Sequence, residues 1–289
     1  MLVTIGLPFF NAERTLEATI SSVLRQDYDD WELLLVDDGS SDRSLEIARS
    51  FDDVRIRVRS DDRNRGLVDR LNQITAEARG DLVARMDSDD LMMPNRLSTQ
   101  VATMMAEPDV DVCYGQAYVI DEHDRILGIR ARGQAAGLVG IVSGIIHPTV
   151  MARRAWMRAN PYDARFVRGE DHELWSRTVR TGSFRKIERP LLFYRDPGVL
   201  RLQPYLKSLR TARRVYAMHG ATLYGTAGAW RRVTRTYVRE ALYRTAHLLG
   251  QEHRLLARRN EALSPAERAA AEAVLASITA TTTPEAPYA

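Results

Sequence analysis

The first hundred residues change hydrophobic period several times, and that alternation leaves few folds open. Leu2 to Pro8 is a short apolar run ended by proline, the pattern of a strand buried on both faces. Asn11 then reads as the cap of a helix with Leu16, Ile20, Val23 and Leu24 along one face. Glu32 to Val36, Val54 to Val58 and Leu82 to Met86 read as further strands. Between them, Asp42 opens a helix carrying Leu45 and Ala48, and Leu67 to Ala78 is a helix with Leu71 and Ile74 inward. Pro94 occupies the first turn of another helix that runs through Met104. Strand, helix, strand, helix at this pitch requires right-handed crossovers. The expectation is an α/β fold with a doubly wound, mostly parallel central sheet.

After Asp109 the texture changes. Val112 to Ile120 and Ile126 to Arg130 flank a polar turn and predict a hairpin. His147 to Met151 and Leu191 to Tyr194 read as short strands, with a helix from Asp171 to Arg180 between them. From Pro204 to about Ala280 the pattern is helical. Ser264-Pro265-Ala266-Glu267 has capping-box spacing with proline at the first helical position, so a late helix starts there. The Thr- and Pro-rich stretch from Thr279 to Ala289 reads as frayed.

At 289 residues the chain is long enough for one large domain, or for one domain with an appendage. A single cysteine, Cys113, excludes an internal disulfide framework and a Cys-based structural zinc site, and fits a reducing cytosol. No stretch reaches the ~18 apolar residues that cross a bilayer. The longest near-apolar run, Gly137 to Ile146, is short and contains Ser143. The start, Met1 to Ile5, lacks a basic segment and reads as a strand, so no signal peptide is expected. Charge is unevenly spread: between Arg201 and Asn260, twelve Arg and one Lys face two Glu, a net +11. The rest of a +3 chain therefore carries −8. Such a field attracts anionic partners to the tail.

Chemistry concentrates in three acidic clusters. Asp37-Asp38-Gly39-Ser40 closes one predicted strand, at the strand end where open α/β sheets bind ligands. Its plainer reading is an Asp-Gly turn before a helix. Asp87-Ser88-Asp89 closes another strand, where alternate residues point the same way and two carboxylates can face one cation. Its plainer reading is an acidic loop, with Asp90 beside a helix N-terminus. Glu170-Asp171 opens a helix about eighty residues later, where Asp171 is either a helix cap or a general base for a hydroxyl. Arg63-Asn64-Arg65-Gly66 precedes a helix and can present guanidinium or backbone N–H groups to phosphate, and Asn72 lies on that helix. Arg195 follows a predicted strand near the acceptor side; its plainer reading is a solvated arginine. Each cluster is common in isolation; the set, in this order, is not.

From Leu2 to Arg195 the chain resembles the family 2 glycosyltransferases of the GT-A fold. The resemblance runs through Leu7-Pro8-Phe9-Phe10-Asn11, Val36-Asp37-Asp38-Gly39-Ser40, Asn64-Arg65-Gly66-Leu67 and Met86-Asp87-Ser88-Asp89-Asp90. It continues through His147-Pro148-Thr149, Gly169-Glu170-Asp171 with Leu174-Trp175, and Phe193-Tyr194-Arg195. It implies an inverting transfer of sugar from a UDP-, GDP- or dTDP-sugar to a glycan, lipid-linked or small-molecule acceptor. Mg2+ or Mn2+ would stand on the diphosphate. Pro8, Asn11, Asp37, Asp38, Arg65, Gly66, Asn72, Asp87 and Ser88 would border the nucleotide. Asp89 and Asp87 would bind metal, and Asp171 would be the base with Glu170 assisting. His147, Trp175 and Arg195 would lie on the acceptor and phosphate side. The expected division is a nucleotide-sugar half over 1–110, an acceptor half over 111–200 with the catalytic base, whose stretch from Tyr114 to Ile146 largely lines the acceptor side, and a basic helical extension over 201–289. The resemblance does not reach that extension.

In the extension, arginines at 210, 213, 214, 231, 232, 235 and 239 recur among Trp230, Tyr237, Leu242 and other apolar residues. This pattern fits a helix lying on an anionic membrane, helices packed on the body with a solvated basic face, or a dimer contact. The expected location is cytoplasmic, with the tail as the route to peripheral contact with the inner face of the membrane. Nucleic acid is not an expected partner, because no nucleic-acid module is legible and the body is acidic. A non-catalytic nucleotide-sugar binder remains an alternative. A nucleotidyltransferase is another, disfavoured because Pro8-Phe9-Phe10-Asn11-Ala12 stands where a Gly- and Arg/Lys-rich loop belongs.

Overall fold

The computed structural model describes residues 1–133, 137–196, 202–250 and 260–280. One sheet runs through it. β1 (Val3–Phe9), β2 (Trp31–Asp37), β3 (Ile56–Arg59) and β4 (Leu82–Arg85) lie parallel in the order β3-β2-β1-β4. Their crossovers are α1 (Leu16–Leu24), α2 (Ser44–Ser50) and α3 (Leu67–Glu77). Every residue of β1 and β2 is buried, which is why both read as continuous apolar runs rather than alternating ones. The sheet continues β4-β8-β6-β9-β5, with β7 paired to the later part of β6 on the edge that β8 takes at its start. The added strands are β5 (Leu91–Met92), β6 (Val112–Ile120), β7 (Ile126–Arg130), β8 (Met151–Arg153) and β9 (Phe184–Arg195). β8 runs antiparallel to β4 and β6, β7 to β6 and β5 to β9, whereas β6 and β9 are parallel. The predicted hairpin is β6–β7. The nucleotide and acceptor halves read from the sequence are thus parts of one continuous sheet.

The remaining helices are α4 (Arg96–Ala106), α5 (Leu138–Gly144), α6 (Arg154–Ala159), α7 (Glu170–Thr178), α8 (Leu202–Leu248) and α9 (Pro265–Thr279). Several sequence expectations shift. Asn11 caps no helix: α1 starts at Leu16 behind Thr15, and Asn11 sits at φ 50 with its Oδ1 accepting from the Ser41 N–H at 2.8 Å. Asn11 therefore ties the loop after β1 to the loop after β2. Asp42 lies two residues before α2 and accepts from the Ser44 N–H at 2.9 Å. Pro94 precedes Asn95, the residue that flanks α4, instead of sitting in its first turn. His147 to Met151 is not a strand: His147–Thr149 is a 3-10 turn that feeds β8. Leu191 to Tyr194 is the end of the longer β9.

The tail divides in two. α8 reverses at Gly225, whose φ of 69° and ψ of 162° favour glycine. Its arms, 202–224 and 226–248, pack antiparallel. Tyr205 meets Tyr243 with ring centroids 4.0 Å apart, Arg213 pairs with Glu240 at 2.8 Å, and Gly220 abuts Ala229. α9 begins with the expected capping box at Ser264 and Glu267. Its Ala271, Leu275 and Ile278 pack with Leu91, Ile120 and Phe193, so it completes the core at the β9–β5 edge. Residues 251–259 of the expected helical stretch, and the expected fraying beyond residue 280, lie outside the described residues.

Candidate active site

The chain builds outward from β1 to β3 and then adds β4 on the other side of β1. This leaves a crevice beyond the carboxyl ends of β1 and β4, where open α/β sheets bind ligands. A cavity of about 320 Å³ opens there, lined among others by Pro8, Asn11, Asp38, Arg70, Asp87, Ser88 and Asp89. Asp38 is held in place from three directions. Its carboxylate accepts from the backbone N–H of Arg65 at 2.8 Å, that of Gly66 at 3.0 Å and Arg70 Nε at 2.9 Å. Arg70 is 1% exposed and also pairs with Asp61 at 2.6 Å. Gly66 allows the approach because it turns at φ 86. Asp37 joins loops: it accepts from the Ser40 N–H at 3.0 Å and the Ser60 hydroxyl at 2.9 Å.

On the β4 side, Asp87, Asp89 and Asp90 bring carboxylate oxygens within 4.8 Å of one another. Enclosure and the charge of Asp87 push the Asp89 carboxyl up to about 6, although its side chain stands open to solvent at the cavity mouth. Asp90 is fully buried; Oδ1 accepts from the Arg195 N–H at 2.8 Å, and Oδ2 has no hydrogen-bond partner. Burial and both neighbouring carboxylates raise its pKa well above the ordinary range. Arg85 pairs with Asp87. Crowded carboxylates, one with an orphaned buried oxygen, form the hard oxygen set that suits Mg2+ or Mn2+. Asp90 was read from the sequence only as a residue near a helix N-terminus; its burial was the signal that periodicity could not supply.

A larger cleft of about 810 Å³ adjoins the first cavity and shares Leu67 and Asp87 with it. Glu170 and Asp171 enter it from the start of α7, where Gly169 stands at φ 78 as the flanking residue. Asp171 therefore does not cap the helix; its Oδ1 accepts from the His172 N–H at 2.7 Å. Burial, then the charge of Asp171, pushes the Glu170 carboxyl up to about 7, and burial raises Asp171 as well. His147 lies beside them, its Nε2 2.8 Å from the Tyr162 hydroxyl and its Nδ1 3.8 Å from Glu170 Oε1. Burial and Arg85 pull the His147 pKa well below its usual value, so it faces Glu170 as a neutral ring and does not draw the Glu170 pKa down.

Three expected site residues lie elsewhere. Asn72 clamps the backbone of Tyr162, accepting from its N–H and donating to its carbonyl, both at 2.9 Å. Trp175 is 1% exposed and stacks with Trp156 behind His147. Arg195 fixes the acidic loop: Nε donates to the Asp89 carbonyl at 2.9 Å, and its guanidinium pairs with Asp124 at 2.7 Å. Tyr114 is buried in the core, whereas Arg130, Ala131 and Val142 to Ile146 do line the cleft. Arg65 is largely exposed and pairs with Asp61. Arg70, Arg85 and Arg130 border the cavities without a signal in the sequence, because each sits inside an ordinary strand or helix pattern, and Tyr194, part of a motif that carries the resemblance, lines the larger cleft.

Residues 4–184 match the sequence model of glycosyl transferase family 2. The chain is 36% identical over 176 residues to the Escherichia coli UDP-Glc:alpha-D-GlcNAc-diphosphoundecaprenol beta-1,3-glucosyltransferase WfgD, covering 60% of this chain and 68% of that protein. It is 34% identical over 188 residues to the putative glycosyltransferase EpsE of Bacillus subtilis, covering 62% and 67%. Among solved structures, S. aureus TarS 1-349 with UDP is similar at TM-score 0.60 and 17% identity, covering 75% of this chain and 65% of that one. The mannosyltransferase PcManGT from Pyrobaculum calidifontis, solved with GDP-Man and Mn2+, is similar at TM-score 0.55 and 15% identity, covering 96% and 86%. At these identities the two structures speak to the fold alone.

Proposed function

The chain belongs to glycosyl transferase family 2, whose members transfer sugar, and from that premise we propose how its two adjoining cavities divide the reaction. The smaller takes a nucleotide-diphosphate sugar and the larger takes an acceptor hydroxyl. The observation that carries this reading is that Asp87 borders both, so the carboxylates suited to a cation and the Glu170–Asp171 pair face one shared space. Asp38, fixed by Arg70 and the turn at Gly66, borders the nucleoside end. Asp87 and Asp89, with Asp90 behind them, hold a divalent cation, which when bound offsets the charge that builds on the departing diphosphate. Asp171 takes the proton from the acceptor oxygen as it attacks the anomeric carbon opposite the leaving group, so configuration inverts. Glu170 is buried beside it and assists, its own carboxyl drawn toward the protonated form by that burial and by the Asp171 charge. The name of the E. coli relative supports a lipid-linked glycan as acceptor and cell-surface glycan assembly as the setting.

A donor screen tests the nucleotide half. Purified chain is mixed with UDP-, GDP- and dTDP-sugars, with and without Mn2+ or Mg2+, and its thermal midpoint is followed. A ligand that binds only the folded chain at 100 times its Kd adds about 2.7 kcal/mol of stability. One donor is expected to raise the midpoint in a metal-dependent way, and Asp89→Asn to remove the metal-dependent part. No shift with any donor would count against the site.

The carboxylate pair also sets a pH dependence. A base must be ionised to act, and both carboxyls hold their protons above the ordinary range, Glu170 to about 7. Asp171, raised by its burial, takes up a proton above the ordinary carboxylate range, so kcat/KM should begin to fall on the acid side before that range is reached. Glu170→Gln removes a like charge from beside Asp171 and should move the acid limb to lower pH. A profile that stays flat into the usual carboxylate range would contradict the assignment.

A further inference from the structure

The second arm of α8 leaves one long face mostly open to solvent, with Arg213 of the first arm lying over one side of the Tyr237 ring at 4.2 Å. Trp230, Tyr237, Val238, Leu242 and Leu248 lie on it at helical spacing, with Leu249 just beyond the helix end, and their exposure runs from 51% at Leu242 to 84% at Leu248. The opposite face, with Ala229, Thr236, Tyr243 and Ala246, is buried against the rest of the chain. Along the edge of the exposed stripe run Arg231, Arg235 and Arg239, none of which forms an ion pair among the described residues. Arg239 also lines the cleft that holds Glu170 and Asp171.

We propose that this face is a docking surface for an anionic phospholipid bilayer. The apolar stripe enters the boundary between headgroups and acyl chains, Trp230 and Tyr237 sit at headgroup level, and the three arginines bind lipid phosphate. Charge selects this occupant over a second copy of the chain. Pairing the stripe with an antiparallel copy of itself would stack the arginine edge on its own like charges, whereas lipid phosphate complements that edge in any orientation. No helix among the described residues is long and apolar enough to cross a membrane, so the arm lies on the surface. Because Arg239 stands at both the stripe and the cleft, an acceptor anchored in the same lipid would present its hydroxyl at the cleft.

Vesicle binding tests the proposal without turnover, so its outcome is separate from that of the transferase reading. The full chain is floated with phosphatidylcholine vesicles, with or without phosphatidylserine, while tryptophan emission is recorded. Trp31 and Trp175 are 3% and 1% exposed, and Trp156 is stacked on Trp175, which leaves Trp230 as the reporter. Flotation with the anionic vesicles only, a blue shift lost in Trp230→Phe, and weaker binding at high salt are expected. Arg231→Gln, Arg235→Gln and Arg239→Gln together should lower partitioning on the order of 100-fold, from three phosphate contacts at a surface. All substituted positions are exposed or lie at a cavity edge, so the circular dichroism spectrum should be unchanged. No flotation, flotation that the triple variant retains, or a dimer in solution that shields Trp230 would each overturn the proposal.

Discussion

Asp171→Asn is expected to slow sugar transfer by about 10²–10⁴-fold while the metal-dependent donor shift survives, because it removes the proton acceptor and little else. Asn fills the same volume and retains an oxygen for the His172 N–H, which Asp171 Oδ1 accepts at 2.7 Å. It also relieves a like-charge contact with Glu170, so the fold should not suffer. Transfer is measured with saturating donor and acceptor, so that the loss falls in kcat and not in binding. If Glu170 were the base, Asp171→Asn would leave most of the rate and Glu170→Gln would abolish it. If neither substitution mattered, the cleft would not be where the acceptor loses its proton. Donor binding that disappeared along with transfer would point to a structural role for Asp171.

Arg70→Met is expected to cost about 3–5 kcal/mol of folding stability, the typical result of stripping one partner from a buried ion pair. Arg70 is 1% exposed; it binds Asp38 at 2.9 Å and Asp61 at 2.6 Å, and donates to Gln73 and to the Arg63 carbonyl. Removing it leaves the Asp38 carboxylate buried with only the Arg65 and Gly66 N–H groups. Lysine keeps the charge but lacks the planar fork that reaches several acceptors at once, so Arg70→Lys should recover only part of the loss. In the double variant Asp38→Asn/Arg70→Met no uncompensated carboxylate remains, and stability should partly return. Urea unfolding at constant slope measures all three. A loss below 1 kcal/mol for Arg70→Met would show that water replaces the guanidinium without penalty.

Much of the candidate site was legible before any coordinates. The three acidic clusters stand at strand ends and at a helix start, and those positions follow from local period and turn residues. What lay beyond the sequence was the use made of individual side chains. Asn72 and Asp89 are both polar residues in the matched stretch, yet one clamps Tyr162 and the other stands at a cavity mouth. Asp90 resembles its neighbours in sequence and differs from them in being sealed from water. Arg195 was read toward the acceptor and instead pins the acidic loop by hydrogen bonds that span more than a hundred residues.

The tail marks the same boundary. Its sequence determined that it would be helical, basic and amphipathic, because these depend on residues within a few positions of one another. It could not tell that Gly225 would fold α8 back on itself, or that the next helix would enter the core beside Leu91 and Phe193. Nor could it tell which arginines would find acids, as Arg213 does with Glu240, and which would be left facing solvent. Strand and helix, cluster and charge follow from neighbours along the chain. Burial, partner and pKa depend on which distant surfaces close over a residue, and only the tertiary structure brings those surfaces together.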